Sequence, residues 1–174
     1  MKNIFIVLLI YSCFIFGCHP KQKKLSYQDM AQHQENLIRA NKYLLSVDAE
    51  KIKAYAKRRN WNMKVTDSGL WYYIYEHGTG KQALSGKLAI FSYKSWLLDG
   101  TLCYSSDSLG PKQFRIGKGG IESGLEEGVL LLHEGDKAKF ILPPHLAFGI
   151  PGDGIKIPRR SILVYDILLT QISD

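Results

Sequence analysis

The chain has 174 residues, of which 45% are hydrophobic, so it can build a core of its own and is not globally disordered. The formal net charge is +7, but the lysine and arginine residues are scattered along the chain. The two small basic clusters, at residues 21–24 and 57–59, do not resemble a nucleic-acid-binding module. Nucleic acid is therefore not expected as a partner.

The N-terminus has the features of an export signal. Lys2 precedes an apolar run from Ile4 to Phe16, which is short for a membrane span and typical of the hydrophobic region of a signal peptide. The run leads into IFGC, residues 15–18, and a small residue before a cysteine at this place resembles the bacterial lipobox. This resemblance implies cleavage before Cys18 and attachment of lipid to it. The alternative is a plain signal peptide with an incidental cysteine.

The residues after the cysteine predict where the protein is sorted. His19, rather than aspartate, follows Cys18, and by resemblance to the sorting rule of many bacterial lipoproteins this favours the outer membrane. Residues 21–24 are basic, so no acidic surface-export signal is present and an orientation toward the periplasm is expected. Four segments follow from this interpretation: a signal peptide (1–17), a lipidated tether (18–25), an N-terminal helical segment (26–64) and a C-terminal domain (65–174).

Two helices are predicted after the tether. Between about Ser26 and Leu45 the apolar residues recur at helical spacing, and Ser26 with Asp29 forms a weak capping box. Asp48 is predicted to cap a second helix over residues 49–60. A segment of this size is too small for a robust core. It must therefore pack on the rest of the chain, dimerise or stay partly mobile.

From residue 65 the pattern changes to short runs rich in β-branched and aromatic residues, separated by turn signals. One short helix is predicted among them, over residues 124–132. The pattern predicts an α+β domain with an antiparallel sheet. The predicted strands are residues 70–76, 87–98, 112–116, 135–142 and 161–172, with turns at 78–81, 99–101, 117–120 and 151–154.

Common catalytic motifs are missing from the sequence. The histidines are far apart and have no cysteine or carboxylate at ligand spacing, so no metal site is expected. The glycines of GKGGIESG fit no phosphate-binding spacing, and Ile121 stands where a GxSxG serine hydrolase needs glycine. The adjacent Glu126 and Glu127 are better explained by the first turn of a helix than by acid–base catalysis. What remains is a set of aromatic residues near turns.

A series of motifs between residues 87 and 172 is more specific than any of these patterns. In chain order it reads FSYKS, DGTLCYSS, FRIG, IESGLEEG, EGDKAKF, PPHLAFG, IP and LVYDILL. The series resembles the FKBP-type peptidyl-prolyl cis–trans isomerases, and the stretch RRNWNMKVTDSGLWYYI with the N-terminal segment further resembles the gliding-motility-associated lipoproteins of that family. The resemblance implies an FKBP-like curved antiparallel β-sheet wrapping one short α-helix, with a hydrophobic pocket between them.

The resemblance also implies a function that the composition allows. Rotation about an X–Pro bond breaks no covalent bond, and an apolar pocket favours the twisted amide because it has less charge separation than the planar one. The implied partners are proline-containing unfolded or extended polypeptides, and neither a cofactor nor a metal is needed. The residues carried over as catalytic are Tyr93, Tyr104 and Phe148, and those carried over as substrate-binding are Cys103, Phe114, Ile121, Glu122 through its backbone N–H, Leu125, Ile157 and Tyr165.

Four of these positions depart from the commonest family pattern. Cys103–Tyr104 replaces a Phe–Asp pair, Phe148 replaces a tyrosine, and Leu125 replaces a tryptophan at the pocket floor. The expected result is a wider and less polar pocket with weakened activity. The alternative function is therefore an FKBP-like chaperone or client-binding module with little isomerase activity. Its N-terminal helices would hold a client or a second subunit, so a homodimer through these helices stays open.

Overall fold

The computed structural model describes residues 26–174. The predicted signal peptide, Cys18 and the rest of the tether lie outside the described residues. The chain divides into two compact units, and the boundary between Ala40 and Asn41 falls inside the first helix. In chain order the elements are α1 (Tyr27–Arg58), β1 (Lys64–Val65), β2 (Trp71–Glu76), β3 (Leu88–Leu97), β4 (Leu102–Ser105), α2 (Ser106–Leu109), β5 (Lys112–Arg115), α3 (Ser123–Val129), β6 (Lys137–Leu142), a 3-10 helix (Pro144–Leu146) and β7 (Leu163–Ser173).

The seven strands form one antiparallel sheet with the order β1-β2-β6-β7-β3-β4, and β5 pairs with β3 beside β4. The longest strand, β7, lies between β6 and β3, with Tyr165 opposite both Phe140 and Ser95. Because side chains alternate across a strand, Phe140 and Ile141 face opposite sides of the sheet. The predicted α+β class and the curved antiparallel sheet are confirmed.

The short helix α3 packs against the inner face of the sheet at very close range. A Cβ atom placed on Gly128 would lie 2.6 Å from the Phe140 ring, and one on Gly124 would lie 2.7 Å from Leu142. Glycine at these two positions therefore lets α3 approach β6 closely enough to enclose the main core. That core includes Leu125 and Val129 from the helix.

The opposite face of the sheet carries a second, smaller core. Ile52 and Tyr55 of α1 pack there against Ile141 and Val164, with Trp61 and Trp71 at the edge. The C-terminal part of α1 thus belongs to the same compact unit as the sheet, which begins at Asn41. Within residues 26–174, no helix has both the length and the apolar character that crossing a membrane requires.

The prediction of two N-terminal helices is wrong, because α1 is continuous from Tyr27 to Arg58. No proline or glycine interrupts the sequence around Asp48, and its side chain does not cap a helix. The carboxylate of Asp48 instead accepts a hydrogen bond from Arg160 at 2.7 Å, and the residue is buried. The capping box is confirmed, since Ser26 and Asp29 exchange hydrogen bonds between backbone N–H and side chain.

The motif DGTLCYSS contains more structure than the predicted turn. Residues 102–105 form β4, and the chain then enters the short helix α2, which the sequence pattern did not predict. Ser105 begins this helix by accepting a hydrogen bond from the N–H of Asp107 at 3.0 Å. The helix predicted over 124–132 is α3, and it ends earlier, at Val129.

Candidate functional site

The residues that the motifs single out converge on one apolar cluster between the sheet and α3. Six of them are buried in it, and the remaining three hydrophobic ones pack against it partly buried. Glu122 is also buried, at the start of α3. The buried members are Tyr93, Cys103, Phe114, Leu125, Ile157 and Tyr165, and the partly buried ones are Tyr104, Ile121 and Phe148.

Three neighbouring strands bring the aromatic rings together. The rings of Tyr93 on β3 and Tyr165 on β7 lie 6.2 Å apart between centroids, and Phe91 meets Phe114 of β5 edge-on at 6.1 Å. These separations are within the range of attractive aromatic pairs. Phe91 and Tyr93 also meet edge-on at 6.0 Å, so the four rings form one packed set that includes Tyr93.

The side chain of Glu122, whose backbone N–H is the predicted ligand contact, has partners that the motifs did not predict. Its carboxylate accepts a hydrogen bond from the Tyr165 hydroxyl at 2.7 Å and pairs with Lys112 Nζ at 3.2 Å. Burial and then the charge of Glu122 raise the pKa of Tyr165 well above its ordinary value, so this hydroxyl stays protonated. Lys112 Nζ also lies 5.1 Å from the centroid of the Tyr93 ring. Glu122 and Tyr165 are buried and the Lys112 side chain is 33% exposed; we call these three residues the buried triad after its two buried members.

A second carboxylate holds Tyr104. The Tyr104 hydroxyl donates a hydrogen bond to Asp153, whose other oxygen accepts the N–H groups of Ile155, Lys156 and Ile157. Desolvation raises the pKa of Asp153, but these hydrogen bonds outweigh it and lower the pKa to about 2. The bond to Asp153 in turn raises the pKa of Tyr104 to about 12.

These two carboxylates are polar partners of the candidate site that the motifs did not predict. An aspartate is missing at position 104, but Asp153 from the loop before β7 bonds to the residue that occupies this position. Asp153 was missed because it is distant in the sequence from DGTLCYSS. The turn motif PGDG was a usable signal, since an aspartate in such a turn often accepts nearby backbone N–H groups.

The segment FILPPHLAFG forms the end of β6 and the loop that carries Phe148. Pro143 and Pro144 end the strand and begin the 3-10 helix, and the N–H of Gly149 donates to the carbonyl of Pro144 at 2.8 Å. The carbonyl of Gly149 accepts the N–H of Arg160 at 3.1 Å. Hydrogen bonds on both sides therefore hold the backbone next to Phe148.

Glu126 and Glu127 have separate structural partners. One oxygen of Glu126 accepts the N–H groups of Gly117 and Gly119 at 2.7 and 3.1 Å, which ties the turn after β5 to α3. Glu127 accepts a hydrogen bond from the Ser68 hydroxyl at 2.6 Å. This arrangement fits a structural role better than an acid–base couple. In the part of the chain that the structure describes, no group of three potential metal ligands converges.

Comparisons with known proteins agree with this geometry. The family model described as FKBP-type peptidyl-prolyl cis-trans isomerase matches residues 80–170. The chain is 34% identical over 146 residues to a probable FKBP-type peptidyl-prolyl cis-trans isomerase FkpA of Neisseria meningitidis, covering 82% of this chain and 53% of that protein. It is 40% identical over 90 residues to FK506-binding protein 2 of Dictyostelium discoideum, covering 51% of this chain and 68% of that protein.

A solved structure gives the same result for the fold. The crystal structure of FkpA from Escherichia coli superposes with a TM-score of 0.61 at 25% identity, covering 99% of this chain and 83% of that one. In sequence, the chain spans about half the length of the FkpA proteins that it matches, between 42% and 53%.

Proposed function

The chain belongs to the FKBP-type peptidyl-prolyl cis–trans isomerase family, and from this premise we propose that it is a peptidyl-prolyl isomerase. It acts on X–Pro bonds of exported polypeptides as a folding helper in the cell envelope. The observation that carries the proposal is that Tyr93, Phe148 and Tyr165 belong to one apolar cluster between the sheet and α3.

The chemistry of such a pocket needs no nucleophile and no cofactor. The planar X–Pro amide resists rotation with a barrier of about 18–20 kcal/mol, because rotation removes its resonance. In a water-poor pocket the planar amide loses the hydration that stabilises its separated charge, and the twisted amide loses less. The pocket therefore lowers the barrier by binding the twisted form better than the planar form.

Each pocket residue has a proposed part in this step. Phe148 packs against the proline ring, and the apolar side chains of Cys103, Phe114, Ile121, Leu125 and Ile157 exclude water around it. The backbone N–H of Glu122 binds a carbonyl of the client. Tyr93 and Tyr104 contact the client with their rings, because the hydroxyl of Tyr104 is already bonded to Asp153.

Relaxation of an X–Pro peptide tests the catalytic proposal. After a solvent jump, the purified protein is expected to accelerate cis-to-trans relaxation of the peptide, measured without a coupling protease. Phe148→Ala is expected to lower the catalysed rate at least about tenfold. The reason is that a large apolar contact in the transition state is worth more than about 1.4 kcal/mol. Tyr43→Ala removes an exposed aromatic ring of α1 outside the pocket and is the control. Undiminished catalysis by a folded Phe148→Ala variant contradicts the proposal.

A specific observation favours a second candidate function. The aspartate of the common family pattern is replaced by Tyr104, which supports weakened catalysis and a client-binding module of FKBP-like fold. α1 adds exposed apolar side chains, with Met30 and Leu37 both 52% exposed and seven residues apart. Suppression of client aggregation by a protein that leaves X–Pro relaxation unchanged would favour this function over isomerisation.

The same exposed side chains support a homodimer through α1. Spacing of seven residues places Met30 and Leu37 on one face of the helix, as in helices that pair. Sedimentation of the protein and of Leu37→Ser tests this part of the proposal. A monomer in both cases contradicts it.

The proposed location is the outer membrane, facing the periplasm, with lipid on Cys18. The support is the sequence of residues 1–24, with its apolar run, the IFGC junction and His19. A radiolabelled fatty acid is expected to label the protein in a bacterial host and to be lost in Cys18→Ser. Labelling that persists in Cys18→Ser contradicts the assignment of that cysteine.

A further inference from the structure

A second apolar concave site lies outside the candidate pocket, in the compact unit that begins at Asn41. It is a groove between α1 and the loop after β6, with a cavity volume of about 530 Å³. Leu44 and Leu45 of α1 line one side, and Pro144 and Ile150 line the other. The volume lies within the range of about 300–1,000 Å³ that is usual for ligand sites. We call this site the loop groove.

Apolar side chains in the loop groove are left in contact with water. Ile150 is 69% exposed and Leu45 is 46% exposed. Both stand beside a concavity that an apolar group can fill, and covering them would remove apolar surface from water. The groove therefore gains free energy from an apolar occupant.

The charged groups of the loop groove have partners within the protein. Asp48 is paired with Arg160 at 2.7 Å, and Arg160 also donates to the carbonyl of Leu44 at 3.3 Å. The imidazole Nε2 of His145 lies 2.9 Å from the carbonyl oxygen of Ser68, within hydrogen-bond distance. Because Asp48 and Arg160 neutralise each other, this pair presents no net charge that requires a counter-charge on the ligand. An uncharged apolar side chain is the complementary occupant.

The loop groove and the candidate site use neighbouring residues of the same loop. Phe148 packs against the pocket cluster, whereas Gly149 and Ile150 line the groove. Two residues of chain span at most about 7 Å. The Cα atoms of Phe148 and Ile150 therefore lie within about 7 Å of each other, a distance that two to four residues of an extended client can also span.

We propose that the loop groove is a second client subsite, which binds an apolar side chain of the same polypeptide about three residues from the proline. The proposal rests on the proposed function, because it assumes that the proline occupies the pocket beside Phe148. A cavity of this volume holds a few side chains, whereas stable protein interfaces use about 20–30 residues a side. This difference favours a single client side chain over a second copy of the chain.

Pairs of peptides test the subsite. Each peptide has one Ala–Pro bond in a Gly/Ser background, with leucine or serine about three residues before or after the proline. For at least one position, the full chain is expected to bind the leucine peptide about tenfold more tightly, because burying roughly half of a leucine side chain is worth one order of magnitude in affinity. Ile150→Ser and Leu45→Ser are each expected to reduce this ratio to about threefold or less.

Leu84→Ser is the matched control, because Leu84 is also about half exposed and does not line the groove. It is expected to keep the tenfold ratio, and thermal unfolding of all variants verifies that they are folded. An equal affinity for both peptides at every position overturns the proposal, and so does a ratio that the groove variants leave unchanged. Groove variants that abolish self-association but keep the ratio would assign the groove to a second copy of the chain.

Isomerisation of the same peptides separates the two proposals. If the protein prefers the leucine peptide but accelerates relaxation of neither peptide, the subsite is supported and the isomerase function is contradicted. If the protein accelerates relaxation of both peptides and binds them with equal affinity, the isomerase function is supported and the subsite is contradicted.

Discussion

Two buried carboxylates, one on each face of the sheet, show how similar pairs can serve different purposes. Glu122 lies on the pocket face and Asp48 lies on the face that α1 covers, with side chains 6% and 4% exposed. Each pairs with a basic side chain that is 33% exposed. The partners differ, however. Glu122 also accepts a hydrogen bond from the Tyr165 hydroxyl, whereas the arginine that pairs with Asp48 also donates to the backbone carbonyl of Leu44.

The difference assigns the two pairs to different tasks. The Arg160 side chain contacts Asp48 and the carbonyl of Leu44, and its backbone N–H binds the carbonyl of Gly149. This residue therefore connects α1 to the loop that carries Phe148. The buried triad instead connects residues of the candidate site to one another. Glu122, at the start of α3, holds the Tyr165 hydroxyl of β7 and the Lys112 ammonium of β5. Substitutions in each pair can test whether Asp48 and Arg160 mainly stabilise the fold and whether Glu122 and its partners mainly affect the candidate site.

Removing the basic partner of Asp48 is expected to have the largest effect on stability. Arg160→Met leaves a buried carboxylate without a counter-charge and is expected to lower the free energy of unfolding by about 3 kcal/mol. Urea denaturation measures this loss. The control is Arg159→Met, because Arg159 is the exposed neighbour and carries the same charge. Equal stability of the two variants would show that Asp48 does not depend on Arg160.

Removing the hydroxyl group of the buried triad is expected to have an intermediate effect. Tyr165→Phe keeps the ring but removes the hydroxyl that donates a hydrogen bond to the Glu122 carboxylate. The free energy of unfolding, measured by the same urea denaturation, is therefore expected to fall by about 2 kcal/mol. Because the group is buried, added salt should change this loss little. Phe148→Ala, compared in parallel, should affect isomerisation more than stability, since its ring is only partly buried.

The lysine of the buried triad is expected to contribute less. Lys112→Met removes an ion pair whose ammonium group solvent reaches, so a loss of about 1 kcal/mol is expected at low salt. This loss should decrease as the salt concentration rises, because mobile ions screen the pair. Lys118→Met serves as the exposed control. A loss that is independent of salt would indicate that Lys112 acts through packing rather than charge.

The smallest expected effect is the pH dependence from Asp153. Its pKa falls from 3.8 to about 2 on folding, so the folded state is favoured above about pH 4. This contribution is lost as the pH falls through about 2, where the folded protein also takes up the proton. Tyr104→Phe weakens the shift and should reduce thermal stability slightly at pH 5 but not at pH 2. A deficit of the same size at both pH values would contradict this account.

The sequence motifs identified residues that share one cluster, but they did not identify the hydrogen-bond partners of those residues. Tyr93, Phe114, Leu125, Ile157 and Tyr165 were predicted by matching short motifs, and the structure brings them into one cluster. The contact between Tyr104 and Asp153 was missed, because it joins positions 49 residues apart in the sequence. Motif matching treats each position separately, whereas a hydrogen bond depends on which distant side chain occupies the facing position.

The N-terminal helix illustrates the same limit. Asp48 is a favourable residue at the start of a helix, so local rules predicted a new helix there. Its carboxylate instead contacts Arg160, 112 residues later in the chain. Leaving this buried carboxylate without Arg160 would cost about 3–5 kcal/mol, whereas a helix cap is worth only about 1 kcal/mol.

The sequence by itself determined the class of fold, five of the seven strands and the resemblance to the family. Alternating apolar residues and turn residues act over short distances, and such local signals can be recognised in a linear chain. Only the tertiary structure decided the partners of Glu122, Asp48 and Tyr104 and the presence of the loop groove. These features depend on side chains from distant segments meeting in three dimensions, and local spacing does not encode that meeting.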